Sequence, residues 1–214
     1  MADLSRLELL GVPCSGKSYA VDSARSSRVR TRLAEKAKRP DRLLKAAATT
    51  LRRPALLGLL ATLGAVRPRH LGGQLRAVFR FVSRYGEYLA DSRIRDGFLL
   101  VDEGVVQATW GLLLQPCLDG KLRDSEGWLD RISSRFWPSS DGGFAVLFLD
   151  TPREEILRRA ASRRANHPFT KIQLEGDREA EEFGLELLRR IRDRCAALGL
   201  LLAGDGGPPW MKSP

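Results

Sequence analysis

The sequence predicts a three-layer α/β fold, a parallel sheet flanked by helices, carrying a helical basic insertion. Three observations support it. A short apolar run, Leu7-Glu8-Leu9-Leu10, leads straight into the glycine-bearing turn Gly11-Val12-Pro13-Cys14-Ser15-Gly16-Lys17-Ser18. Two more apolar runs, at 97–101 and 144–149, each end at an acidic residue, Asp102 and Asp150. Helical stretches separate the runs, and strands alternating with helices read as parallel crossovers with functional residues at the carboxyl ends of the strands.

After the strand at 7–10, a helix is expected over about 16–37. A long helical stretch follows, broken at Pro40, Pro54, Pro68 and Gly72-Gly73, since proline lacks an amide donor and glycine weakens a helix. Its last helix covers about 74–91, where Leu75, Val78, Phe79, Val82 and Leu89 form an apolar stripe. Residues 97–101 have the continuous apolar character of a strand buried on both faces and end at Asp102-Glu103-Gly104. Helices are expected over about 105–117 and 125–133. The strand at 144–149 ends at Asp150-Thr151-Pro152, with Pro152 suited to the first turn of the next helix. A final helix at about 178–198 precedes a last strand at 200–203. No internal repeat is visible. These elements make one domain over 1–204, with a helical basic acceptor or lid region at about 39–95 and a flexible Gly/Pro-rich tail at 205–214.

The turn after the first strand matches the pattern G-x-x-x-x-G-K-[ST], the P-loop, at every fixed position. A chain that turns sharply from strand to helix aims successive backbone N–H groups at one point, and the helix adds the positive end of its dipole. Gly11 and Gly16 allow close approach to an anion because they lack a Cβ. The expected phosphate cradle is Gly11, Cys14, Ser15, Gly16, Lys17 and Ser18. Lys17 would reach the β- and γ-phosphates of ATP, and the Ser18 hydroxyl would ligand Mg²⁺. Amides and Lys17 could activate the Cys14 thiol, but a tolerated small side chain is the simpler reading.

With 214 residues, 43% of them hydrophobic, the chain can bury a full core without a metal or a disulfide. Cys14, Cys117 and Cys195 are far apart and odd in number, which fits a reducing compartment and no cysteine metal site. Met1-Ala2-Asp3-Leu4 lacks a signal-peptide pattern, so a cytoplasmic location is expected. Charge is unevenly distributed. From Arg25 to Arg95, 15 Arg and 3 Lys face Glu35, Asp41, Glu87 and Asp91, a net +14 against +10 for the whole chain. The balance elsewhere is therefore −4, an asymmetry that points to an anionic partner or to arginine-coated helix faces. The apolar residues 55–66, flanked by arginines, are too few to span a bilayer; a buried helix is the commoner reading, a helix at a membrane surface the other.

Together, the P-loop, the strand end Val101-Asp102-Glu103-Gly104 and the stretch from Phe148 through Asp150-Thr151-Pro152 to Arg163 resemble the nucleoside and nucleotide kinase group of P-loop NTPases, thymidylate kinases most of all. The resemblance implies an ATP-dependent, Mg²⁺-requiring kinase. It implies a lid in which Arg159 and Arg163, one helical turn apart, converge on the transferring phosphoryl group; a solvated arginine face is the alternative. Asp102 is the candidate to hold Mg²⁺ through water, with capping of the next helix as its other use. Thymidylate kinases usually have Asp-Arg where this chain has Asp102-Glu103, and residues 39–73 have no recognised counterpart. Glu103 could act as base toward an acceptor hydroxyl. Gln107, one turn on, and Trp110 could line the acceptor pocket, although a large aromatic on a helix is more often core. Arg80 and Arg84 are candidate ligands for an anionic acceptor. His70 and His167 have no partner spacing and receive no role.

The expected function is transfer of the γ-phosphoryl group of ATP to a hydroxyl or phosphate of a nucleoside, nucleotide or related metabolite. Two alternatives stand beside it. One is a kinase acting on a polymer such as DNA, whose binding would fall steeply with salt. The other is a nucleotide-dependent switch or membrane-associated assembly NTPase; the absence of N-K-x-D argues against its GTPase form. A homodimer is compatible with the sequence.

Overall fold

The computed structural model describes residues 5–24, 30–32, 48, 52–56, 58–59, 71–91, 99–119, 124–162 and 168–202. Of the basic region at 39–95, most of residues 39–70 with His70, and 92–95, lie outside the described residues, as do 163–167 with Arg163 and His167 and everything from 203 on. The chain divides into two compact units, Met1–Leu33 with Gly97–Glu103 and Pro138–Pro214, and Ala34–Asp96 with Gly104–Trp137.

The first unit is α/β. Its strands are β1 (Arg6–Leu10), β2 (Arg30–Arg32), β3 (Leu99–Val101) and β4 (Phe144–Phe148), all parallel, in the order β2-β3-β1-β4. Its helices are α1 (Lys17–Ala24), and, later in the chain, α5 (Arg153–Ser162), α6 (Pro168–Glu175) and α7 (Arg178–Ala197). β1 is buried along its whole length, as a central parallel strand must be. Side-chain alternation assigns its two faces. Leu7 and Leu9 pack with Ala20, Val21 and Ala24 of α1 and with Leu100, Ala145 and Leu147. Glu8, fully buried between them, points the other way, toward α7, where burial and then the Glu8 charge push the Cys195 thiol well above its usual range. Helices therefore cover both faces of the sheet.

Two expectations are corrected. The single helix expected over 16–37 is not formed: α1 covers Lys17–Ala24, and Arg30–Arg32 form a strand paired with β3. Pairing with Arg30–Arg32 satisfies a backbone edge of β3. The last strand reduces to a single parallel bridge between Leu201 and Val146, flanked by hydrogen bonds from Val146 N to Leu200 O and from Leu202 N to Val146 O. Pro168–Glu175 is also helical, an element absent from the sequence expectations, with Pro168 preset for the first position of a helix.

The second unit is helical in its described part: α2 (Leu71–Asp91), α3 (Val105–Leu118) and α4 (Ser125–Phe136). Asp124 caps α4 by accepting from Gly127 N at 2.8 Å. α2 lies along α3, and the Phe136 ring stands edge-to-face with those of Phe81 and Tyr85, at centroid distances of 5.9 and 5.3 Å. Trp137 Nε1 donates to Thr109 Oγ1 at 2.9 Å. No helix among the described residues is long and apolar enough to cross a membrane.

α6 docks on α7 through Phe169, whose ring lies on Gly184 so closely that a Cβ there would overlap it. Gly184→Ala is expected to destabilise the protein by about 1–3 kcal/mol through overpacking, despite the ~1 kcal/mol that alanine gains in a helix. Urea denaturation checks this, and adding Phe169→Leu should recover part of the loss; a more stable Gly184→Ala variant would contradict the packing.

Candidate phosphate-binding site

Strand order places the turn after β1 at the sheet's switch point. β1 has β3 on one side and β4 on the other, so the residues following all three strands meet at one edge. Leu10 pairs with Phe148, and Leu149 N donates to Leu10 O at 2.8 Å, which carries the pairing into the turn. The turn itself needs unusual backbone. Cys14 has φ +66 and Gly16 φ +98, with α1 beginning at Lys17. A Cβ on Gly11 would stand 2.7 Å from Ser15 Oγ and 3.1 Å from Leu149 O, so a side chain there would press on both Ser15 and the β4 backbone. The Ser15 hydroxyl is buried beneath Gly11 without a hydrogen-bond partner among the described residues. From the β4 side, Thr151 Oγ1 donates to Ser15 O at 2.9 Å and braces the loop.

Two cations are held against this loop. Lys17 Nζ donates to Gly11 O at 2.6 Å and to Val12 O at 2.9 Å, so its ammonium is folded into the turn. Burial lowers Lys17 from its ordinary value of 10.5 to about 8, opposed by the nearby charges of Glu103, Asp102 and Cys14. Arg159 arrives from α5. Its Nη1 lies 3.5 Å from Cys14 O and would be 2.9 Å from a Cβ on Gly16, while its Nε donates to Glu155 Oε1 at 2.6 Å. Arg158 also donates to Glu155, and the two guanidiniums hold that carboxyl down at about 2.

The carboxylates of the β3 end complete the group. Ser18 Oγ is 3.5 Å from Asp102 Oδ2, and Asp102 is buried whereas Glu103 is partly exposed. A hydroxyl and a carboxylate at this separation fit the donor set of a hard divalent cation that retains much of its water. Gly11, Cys14, Ser15, Gly16, Lys17, Ser18, Asp102, Glu103 and Arg159 thus all lie in the first unit. Arg163 lies outside the described residues. The remaining candidates belong to the second unit: Arg80 is exposed, Arg84 is buried in an ion pair with Glu87 at 2.7 Å, Gln107 is buried, and Trp110, only 1% exposed, is core. Sequence reading assigned nothing to Thr151 or Glu155. The spacing of Glu155 and Arg159, one turn apart, could have indicated the second; Thr151 bonds across 136 residues and leaves no local signal. Comparison with protein-family models, characterised proteins and solved structures gave no significant match.

The Lys17 shift has a sign that can be measured. Because the unfolded chain keeps its proton up to about 10.5, it binds more protons than the folded chain between pH 8 and that value, and stability from this group rises with pH across the window. Chemical denaturation of the ligand-free protein should show wild type gaining on Lys17→Met as pH rises from 8 to 10; a constant difference would contradict an enclosed ammonium.

Proposed function

We propose that this chain is a P-loop kinase, an ATP-dependent, Mg²⁺-requiring enzyme that transfers the γ-phosphoryl group to a small hydroxylated or phosphorylated metabolite of the nucleoside or nucleotide kind. The observation that carries the reading is the meeting, at one end of the sheet, of a glycine-bearing loop, a lysine hydrogen-bonded to its carbonyls, a Ser18–Asp102 pair and an arginine from α5. Phosphoryl transfer asks for these parts: a phosphate cradle, a site for a divalent cation, a carboxylate and a cation aimed at the phosphates. Backbone amides of residues 14–18 and Lys17 would bind the phosphates, and Ser18 with Asp102 would hold Mg²⁺, which neutralises phosphate charge. Arg159 would stabilise charge that builds on the equatorial oxygens. Arg163, by its spacing, would join it.

Glu103 decides the acceptor. As a base it suits an uncharged hydroxyl, whereas beside Asp102 it would repel a phosphate already ionised. A polymer acceptor is the second reading, favoured by the net charge of the segment from Arg25 to Arg95.

A metabolite screen that follows ATP consumption together with product mass tests the proposal. Lys17→Ala should nearly abolish transfer in a folded protein, and Arg159→Ala should lower kcat more than ATP affinity. With the acceptor identified, Glu103→Gln should lose most turnover and keep ATP binding; wild-type turnover would remove Glu103 as base and the hydroxyl preference with it.

A further inference from the structure

Glu155 uses both carboxylate oxygens on neighbouring guanidiniums. Arg158 takes it bidentately, with Nε to Oε2 and Nη2 to Oε1 both at 2.7 Å, and Arg159 Nε shares Oε1 at 2.6 Å. The three side chains differ in exposure: Arg158 is 73% exposed, Arg159 32% and Glu155 28%. Exposed pairs one helical turn apart are worth little to stability, so this arrangement is poorly accounted for as a helix brace. What it does is geometric. The bidentate Arg158 fixes the plane of the carboxylate and cancels its charge, and Oε1 then holds the Nε edge of Arg159 on α5. Thereby the far end of Arg159, Nη1, is left against the loop, beside Gly16 and Cys14 O.

We infer that Glu155 is a positioning residue: it aims Arg159 at the phosphate cradle, with Arg158 as the counter-charge that leaves the cationic character of Arg159 directed at the terminal phosphate. The inference rests on the kinase reading of the site and adds to it a residue that touches no substrate. A long arginine side chain left free would sample many rotamers, and the entropy of ordering it would fall on the bound or transition state. Held by Glu155, it is ordered beforehand.

The test is equilibrium binding of MgADP and of the magnesium complex of the β,γ-imido analogue of ATP to the full chain, which needs no knowledge of the acceptor. Wild type should prefer the triphosphate analogue. Glu155→Ala should cut that preference by about tenfold, the loss expected when one charge-assisted contact is no longer aimed, while MgADP affinity stays within about twofold. Arg159→Ala should cut it as much, and the double variant no further, because both remove the same contact. Glu155→Gln, whose amide oxygen can still accept from Arg159 Nε, should restore most of the preference. Glu155→Asp, too short to reach, should not, and it serves if the alanine variant fails to fold. Unchanged preference in Glu155→Ala and Glu155→Asp, equal loss for both nucleotides, or additive losses in the double variant would overturn the positioning role alone. Failure of wild type to bind either nucleotide would overturn the kinase reading, and the positioning role would fall with it.

Discussion

Closure of the turn between β1 and α1 is the constraint on which the rest of the first unit's functional edge depends. A peptide that reverses from strand to helix within a few residues leaves backbone N–H and C=O groups unpaired, and here the closure brings Gly11 close onto Ser15 and Leu149, where a Cβ would be crowded. Positive φ at Cys14 and Gly16 completes it. For Gly16 that conformation is free of side-chain strain; for Cys14 it is not, and surrounding structure must hold it. The holding groups are identifiable. Leu149 N and Thr151 Oγ1 pin the turn from the β4 side, and the ammonium of Lys17 and the guanidinium of Arg159 occupy carbonyls that closure leaves outward.

That arrangement gives the site its electrostatic character. Carbonyls of Gly11, Val12 and Cys14 attract cations, and the same cations are what a phosphate would engage. A ligand with several anionic oxygens therefore competes with backbone dipoles for Lys17 and Arg159, and part of the desolvation of Lys17 has already been met in the folded chain. Asp102 and Glu103 oppose the desolvation and keep the ammonium charged near neutral pH. Carboxylates on one strand end and cations on the loop are thus coupled through the order β3-β1-β4, in which β1 is central.

How much of this was legible in the sequence follows from the range of each interaction. The loop was legible because its signal is contiguous: eight consecutive residues fix the pattern. β1, β3 and β4 were legible as apolar runs, although Arg6 and Glu8 are buried in β1, which no composition rule would place inside. β2 was not, since two of its three residues are arginines and its existence depends on pairing with β3. α6 was hidden by its length of eight residues and by a proline that reads equally as loop. At the site, Lys17, Ser18, Asp102 and Arg159 followed from motif and spacing, while the brace from Thr151 to Ser15 depends on strand register and appears only in three dimensions. Arg84 and Trp110 show the opposite case. Their spacing allowed a pocket, and the structure buries one in an ion pair and the other in core.

The central claim, that the turn after β1 binds nucleotide triphosphate, can be read from the chain's own thiols. Cys14 is partly exposed in the loop, whereas Cys117 and Cys195 are buried, so alkylation of the native protein by N-ethylmaleimide reports on the loop. MgATP should slow modification of Cys14 in a saturable way, located by peptide mass analysis, and Lys17→Ala should remove the protection. Modification of Cys14 at the same rate with and without saturating MgATP would contradict it.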